Sequence, residues 1–158
     1  MQCKMLNDKF PDLQLFTTQA QVVAPPAKPV ITTHPQDITV AEGNTATFTI
    51  VAESTDGGRL SYQWLRPQRG PGGLTVWIDI PGATDASYTT PEVAFAQNGL
   101  ELKCLVTNSK DGFSSDPVYS DAAVLSVVAK PLITSHPQNA TVTEGDTAHF
   151  AVAATAPD

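Results

Sequence analysis

The chain has 158 residues, of which nine are basic and sixteen acidic, so its net charge is −7. A negative field repels phosphate backbones and anionic lipid headgroups, and we therefore expect no nucleic-acid partner. No apolar run approaches the ~20 residues that span a bilayer, so membrane insertion is not expected either. The first residues lack the apolar stretch of a secretory signal peptide, and a cell-surface or extracellular location is expected only if they belong to a longer exported chain.

One stretch of the sequence occurs twice. Lys28 to Asp56 recurs as Lys130 to Asp158, displaced by 102 positions, with about half the aligned residues identical. A spacing near 100 residues fits a whole small domain rather than a solenoid repeat. The repeat predicts an irregular N-terminal segment or end of a preceding domain over 1–28, a complete domain over 29–129, and the truncated start of a second copy over 130–158. Neighbouring copies in the same chain are therefore expected partners.

The complete domain reads as a series of short strands separated by turn residues, the pattern of an all-β sandwich or barrel. Alternation of apolar and polar side chains predicts strands, in chain order, over 30–33, 37–40, 45–53, 60–66, 74–80, 87–90, 100–107 and 117–128. Pro35 suits only a sheet edge, because proline cannot donate to a ladder. Residues 66–73 are rich in proline and glycine and predict an irregular exposed connection, and 108–112 predicts a hairpin turn. No helix is expected beyond one turn near 91–98.

Several motifs together resemble a known family. They are Pro35, Val40-x-Glu42-Gly43, Phe48-x-Ile50, Tyr62-Gln63-Trp64, Ile80-Pro81-Gly82-Ala83-Thr84 with Tyr88, Asn98-Gly99, Cys104-x-Val106-x-Asn108, and Gly112. The set resembles the bacterial immunoglobulin-like domains of the I-set type, which occur in tandem on large surface and secreted proteins. The resemblance implies a Greek-key sandwich of two antiparallel sheets, followed here by the first strands of a second copy. A fibronectin type III sandwich is the alternative, but its core tryptophan lies on the second strand, where this chain has Phe48.

The chain departs from the family pattern at two core positions. Ile50 stands where the family has a cysteine that bridges to Cys104, and Leu102 stands where it has a tyrosine. The only other cysteine, Cys3, lies in the irregular head, so we expect Cys104 to be a free buried thiol. A module without its bridge must be held by apolar packing, and the expected core residues are Trp64, Phe48, Ile50, Cys104, Leu102, Val106 and Tyr62.

The sequence contains no motif of a catalytic, cofactor-binding or metal-binding site. Carboxylates gather near the ends of the domain, but not with the spacing of a calcium loop, and calcium at the linkers remains only an alternative. We therefore expect a non-catalytic structural or cell-adhesion module of a multidomain surface or secreted protein, with no cofactor and no metal. Two alternatives are a ligand-recognition domain accessory to a larger enzyme, and a filament subunit that assembles by strand donation.

Trp77, with Arg66 and Arg69 nearby, is a candidate partner surface. On strand 74–80, Val76, Ile78 and Ile80 are expected to face inward, which leaves Trp77 facing outward. Arg66 and Arg69 lie in the neighbouring stretch. Trp77 is expected either to pack against the stem of Arg66 or, with both arginines, to contact a protein or carbohydrate partner.

Overall fold

The computed structural model describes residues 24–156, together with two short N-terminal strands that pair antiparallel, β1 (Lys4–Met5) and β2 (Leu15–Phe16). Most of the segment 1–28, including Cys3, lies outside the described residues. The remaining strands are β3 (Val30–Thr33), β4 (Ile38–Ala41), β5 (Thr47–Thr49), β6 (Val51–Glu53), β7 (Arg59–Arg69), β8 (Thr75–Asp79), β9 (Ser87–Thr89), β10 (Leu100–Lys110), β11 (Phe113–Ser114), β12 (Val118–Tyr119), β13 (Ala123–Val128), β14 (Leu132–Ser135) and β15 (Ala153–Thr155). Short 3₁₀ turns occur at Pro71–Gly73 and Phe95–Gln97.

The larger layer is a sheet with the order β4-β13-β10-β7-β8, to which β11 and β12 add by pairing with β10. Its pairings are antiparallel, except that β4 runs parallel to β13. The smaller layer consists of β3 paired with β6 and β5 paired with β9. β5 and β6 lie on one extended run that Ile50 joins, and the Ile50 amide donates to the Ala86 carbonyl at 3.0 Å.

The core lies between the two layers, because each long strand alternates its side chains between the core and solvent. Trp64 on β7 is fully buried, between Phe48 and Tyr88, with ring centroids 6.3 and 6.2 Å away. Its indole Nε1 donates to the Asp85 carbonyl at 3.0 Å. The other expected core residues lie around it: Phe48, Ile50, Leu102, Cys104 and Val106 are buried, and Tyr62 is half-buried against the same cluster. The chain therefore folds as an all-β, immunoglobulin-like sandwich.

Two serines, Ser115 and Ser120, divide the stretch that pairs with β10 into β11, β12 and β13. The Cys104 amide donates to Ser120 Oγ at 2.9 Å, and the Ser120 amide donates to the Cys104 carbonyl at 2.8 Å. Asn108 and Ser115 make the same exchange, at 3.2 and 2.8 Å. The pairing register slips by one residue on passing each serine, which is the geometry of a β-bulge. The single strand expected over 117–128 is therefore wrong, because the Ser120 bulge divides β12 from β13.

The expected connection over 66–73 is also partly wrong. β7 continues to Arg69, because residues 65–69 pair with β8 in a long hairpin. Pro67 is tolerated there since it lies beyond Leu65, the last β7 residue that pairs with β10. Val76 was expected to face the core but is 46% exposed, because it pairs with Gln68 in the part of the hairpin that extends past the sandwich.

The second copy reproduces one strand pair and one turn of the first. Val30 pairs with Glu53 and Ile31 with Ala52, and Leu132 pairs with Thr155 and Ile133 with Ala154. Both pairs of strands have a register shift at the equivalent place. The turn bond from Asn44 to Ala41 recurs from Asp146 to Thr143. The repeated sequence thus forms the same strand pair twice.

Candidate partner surface

The β7–β8 hairpin positions Trp77 on the outer face of the larger sheet. Trp77 pairs with Pro67, so it shares its face with every second residue of β7, including Leu65. Leu65 is only 4% exposed although it points away from the core. Trp77 itself is half-buried. This face therefore carries a small apolar patch of its own, outside the sandwich interior.

Lys103 on β10 completes this patch. Its Nζ lies 4.1 Å from the centroid of the Trp77 ring and 4.7 Å from that of Tyr119. Lys103 pairs with Leu65 and Tyr119 pairs with Leu105, so strand register brings the three side chains together. A cation over an aromatic face at an exposed site contributes ~0.5–1 kcal/mol. We call Trp77, Lys103 and Tyr119 the aromatic–lysine cluster.

The structure separates the two arginines that the sequence grouped with Trp77. Arg69 pairs with Thr75 and lies on the Trp77 face, at the far end of the hairpin. Arg66 pairs with Ile78 and therefore projects from the opposite face. It lies near Tyr88, whose pKa is raised by burial, an effect that the positive charge of Arg66 partly offsets. The expected packing of Trp77 on Arg66 is thus wrong, and Lys103 takes that place.

Sequence reasoning missed Lys103 and did not place Tyr119 beside Trp77. Lys103 lies between the inward-facing Leu102 and Cys104, so alternation alone places it on the outer face. Its closeness to Trp77 depends on the pairing of β10 with β7 and of β7 with β8, which no local pattern states. The Ser120 bulge sets the register of Tyr119, and the repeated Ser-Asp pairs at Ser115 and Ser120 are the only sequence signal for it.

Cys104 is not activated as a nucleophile or as a metal ligand. Burial raises the pKa of the Cys104 thiol to about 11, so it is protonated at neutral pH. The thiolate is the nucleophilic and metal-binding form. Within residues 24–156, no three His, Cys, Asp or Glu side chains converge where a metal ion could be held. None of the helical segments in the described part of the chain has the length and apolar character to cross a membrane.

No family model matches the chain. Endoglucanase C of Cellulomonas fimi is 33% identical to it over 130 residues, which are 82% of this chain and 11% of that protein. The chain thus spans about a tenth of the length of this curated relative.

Among solved structures, Sidekick-1 immunoglobulin domains 1–5 match 85% of this chain and 28% of theirs, at 19% identity and a TM-score of 0.48. The titin domains Z1Z2 in complex with telethonin match 80% of this chain and 62% of theirs, at 25% identity and a TM-score of 0.43. The assignment of the fold rests on the strand order and core described above.

Proposed function

We propose that this chain is a non-catalytic structural module of a larger secreted bacterial protein, which holds other parts of that protein at a set distance. The single observation that carries the proposal is the repeat: β14 pairs with β15 in the second copy in the same register as β3 pairs with β6 in the first. Several copies of one small domain in series suit the role of a structural spacer better than that of an enzyme. We further propose that the module is of the I-set type, because the first strand is divided between β3 in one sheet and β4 in the other.

The relative supports an enzyme as the parent protein. Endoglucanase C contains a region 33% identical to most of this chain, and that region is a small part of the whole. We infer that this chain is likewise a small region of a larger enzyme and an accessory to its catalytic part. The same relative supports a secreted location, since a polymeric substrate is met outside the cell.

A purified sample of the 158-residue chain tests the proposal directly. We expect neither release of reducing sugar from soluble cellulose derivatives nor retention on insoluble cellulose. Hydrolysis that persists through repeated purification would overturn the non-catalytic assignment. A matched sample with Trp77→Ala serves as the control for retention, because that substitution removes the largest side chain of the outer face.

The aromatic–lysine cluster favours a second candidate function, recognition of a carbohydrate or protein by the outer face. Tyr119 is 51% exposed, and its ring and that of Trp77 flank the Lys103 ammonium. Aromatic side chains with a polar partner are frequent at binding surfaces. Retention of the natural chain on a polysaccharide or on a cell surface, lost in Trp77→Ala but kept in Arg66→Ala, would favour this function. An adhesive role rests on the same test.

A further inference from the structure

The segment that leads into the complete module is bound to it through its backbone. The Ala27 amide donates to Asp56 Oδ2 at 2.9 Å, and the Ala27 carbonyl accepts from Asn108 Nδ2 at 2.9 Å. Both hydrogen-bonding groups of one linker residue are thus satisfied by side chains of the module. Pro26 and Pro29 on either side are buried. This arrangement is unlike a free linker, whose backbone would be solvated.

The Asp56 carboxylate is held in place by its own loop. Its Oδ1 accepts from Ser54 Oγ at 2.8 Å, from the Gly58 amide at 3.0 Å and from Asn108 Nδ2 at 2.7 Å. These bonds leave Oδ2 directed at the linker. The bond from Ala27, then those from Asn108, Ser54 and Gly58, hold the pKa of Asp56 well below its ordinary value. The acceptor is therefore charged and pre-oriented, which strengthens each bond to it.

Asn108 can take this position only because residue 58 is a glycine. Asn108 is fully buried, and a Cβ built on Gly58 would overlap its Oδ1. The carboxamide is thus fitted against the loop that carries Asp56, with its Nδ2 turned towards Ala27 and Asp56. The loop, the carboxamide and the linker form one packed unit.

A second carboxylate acts where the chain leaves the module. The Lys130 amide donates to Glu42 Oε2 at 3.4 Å, while Glu42 Oε1 accepts from the Phe95 amide at 3.2 Å. The Glu42 amide in turn donates to the Val128 carbonyl at 2.8 Å. Glu42 therefore holds the first residues after β13 against the module that they have just left.

The repeat brings these two contacts onto one short linker. Ala129-Lys130-Pro131 repeats Ala27-Lys28-Pro29, and Asp158 repeats Asp56 at the same spacing of 102. Asp158 lies outside the described residues, so its part rests on the sequence alone. Ala129 is the equivalent of Ala27, whose amide is bound by the aspartate of the module that follows it. The next residue, Lys130, is bound to the preceding module's Glu42.

We propose that each junction is a two-sided backbone clamp, in which adjacent linker amides are bound by a glutamate of the preceding module and an aspartate of the following one. The following module binds the earlier of the two linker residues, and the preceding module binds the later one. Neither module can therefore turn about the linker without breaking one of the two bonds. The consequence, a stiff rather than hinged array, rests on the proposed spacing function. The clamp itself does not.

Amide hydrogen exchange by NMR on the 158-residue chain tests the clamp at its fully described site. We expect the Ala27 amide to be protected, and Asp56→Ala to reduce that protection about tenfold or more, as expected for loss of a bond to a charged acceptor. The matched control is Asp116→Ala, which removes only the exposed ion pair with Lys28, at 3.1 Å, and should leave Ala27 unchanged. Unaltered exchange at Leu102 and Cys104 verifies that the core is intact.

The contact with the preceding module is tested separately. Glu42→Ala should speed exchange of the Lys130 amide and leave the Ala27 amide protected. Asp56→Ala should speed exchange of the Ala27 amide and leave the Lys130 amide protected. An Ala27 amide that exchanges freely in the natural chain, or equal protection in Asp56→Ala and in Asp116→Ala, overturns the proposal. If Asp56→Ala does not fold, Asp56→Asn supplies the same comparison with a neutral acceptor. Binding to cellulose, or its hydrolysis, would overturn the proposed function and leave the clamp untouched.

Discussion

Truncation of Trp64 removes the side chain around which both layers pack. The indole is fully buried against Phe48 and Tyr88 and donates a hydrogen bond to the Asp85 carbonyl. Replacing a buried tryptophan by alanine costs ~3–5 kcal/mol, because it leaves a cavity as well as losing the transfer free energy. In a domain of this size each kcal/mol lowers the thermal midpoint by roughly 4–8 °C. Trp64→Ala is therefore expected to lower it by roughly 12–40 °C, or to leave no folded population.

Thermal unfolding followed by far-ultraviolet circular dichroism measures this shift without depending on tryptophan fluorescence. Trp77→Ala is the matched control, since it removes the same side chain from the outer face and forfeits ~1 kcal/mol of cation–π contact. Its midpoint should fall by less than about 8 °C. Equal midpoints for Trp64→Ala and the natural chain, or a larger loss in Trp77→Ala, would show that the core has been assigned to the wrong tryptophan.

Three further outcomes are expected. In a Cys3→Ser background, Cys104 should resist alkylation in the native chain and react after denaturation, because burial raises its pKa to about 11; rapid native labelling counts against its burial. Because the pKa of Asp56 is lowered in the folded chain, the carboxylate takes up a proton in the unfolded chain first as pH falls. The ionised Asp56 therefore stabilises the fold fully above the unfolded pKa of ~3.9, and this stabilisation declines as pH falls towards the folded pKa. Urea unfolding between pH 6 and 3 should therefore show a shallower loss of stability in Asp56→Asn, and parallel curves would refute this. Gly58→Ala should destabilise the domain by ~1–3 kcal/mol through overlap with Asn108, and an unchanged urea midpoint would mean that the loop has room to move.

The sandwich was predictable because its strands alternate strictly. Phe48 and Ile50 on one run, and Leu102, Cys104 and Val106 on another, recur at every second position, which fixes both the strand and its buried face. The resemblance then supplied the order of strands that periodicity alone cannot give.

The rest depended on contacts between residues far apart in the sequence. Pro67 argued against a strand, yet pairing with Trp77 across the hairpin extends β7 past it. The repeated Ser-Asp pairs are the only sequence signal at Ser120, and they do not show that its hydroxyl replaces a ladder bond to Cys104 and breaks the last strand. Lys103 could be placed on a face but not beside Trp77, because that requires the register of three strands at once. The clamp joins Ala27 to Asp56 and Asn108, which lie 29 and 81 positions further along the chain, and no local pattern reports such contacts.

The central claim is that apolar packing around Trp64 holds this sandwich without a disulfide. The cysteine of the described residues is free, and Ile50 occupies the place of the bridging partner. The most direct test is thermal unfolding of the 158-residue chain with and without a reducing agent. We expect the two midpoints to coincide. A lower midpoint on reduction, corresponding to the ~2–5 kcal/mol of unfolding free energy typical of a lost bridge, would contradict the account. It would mean that a covalent bond supplies the stability assigned here to packing.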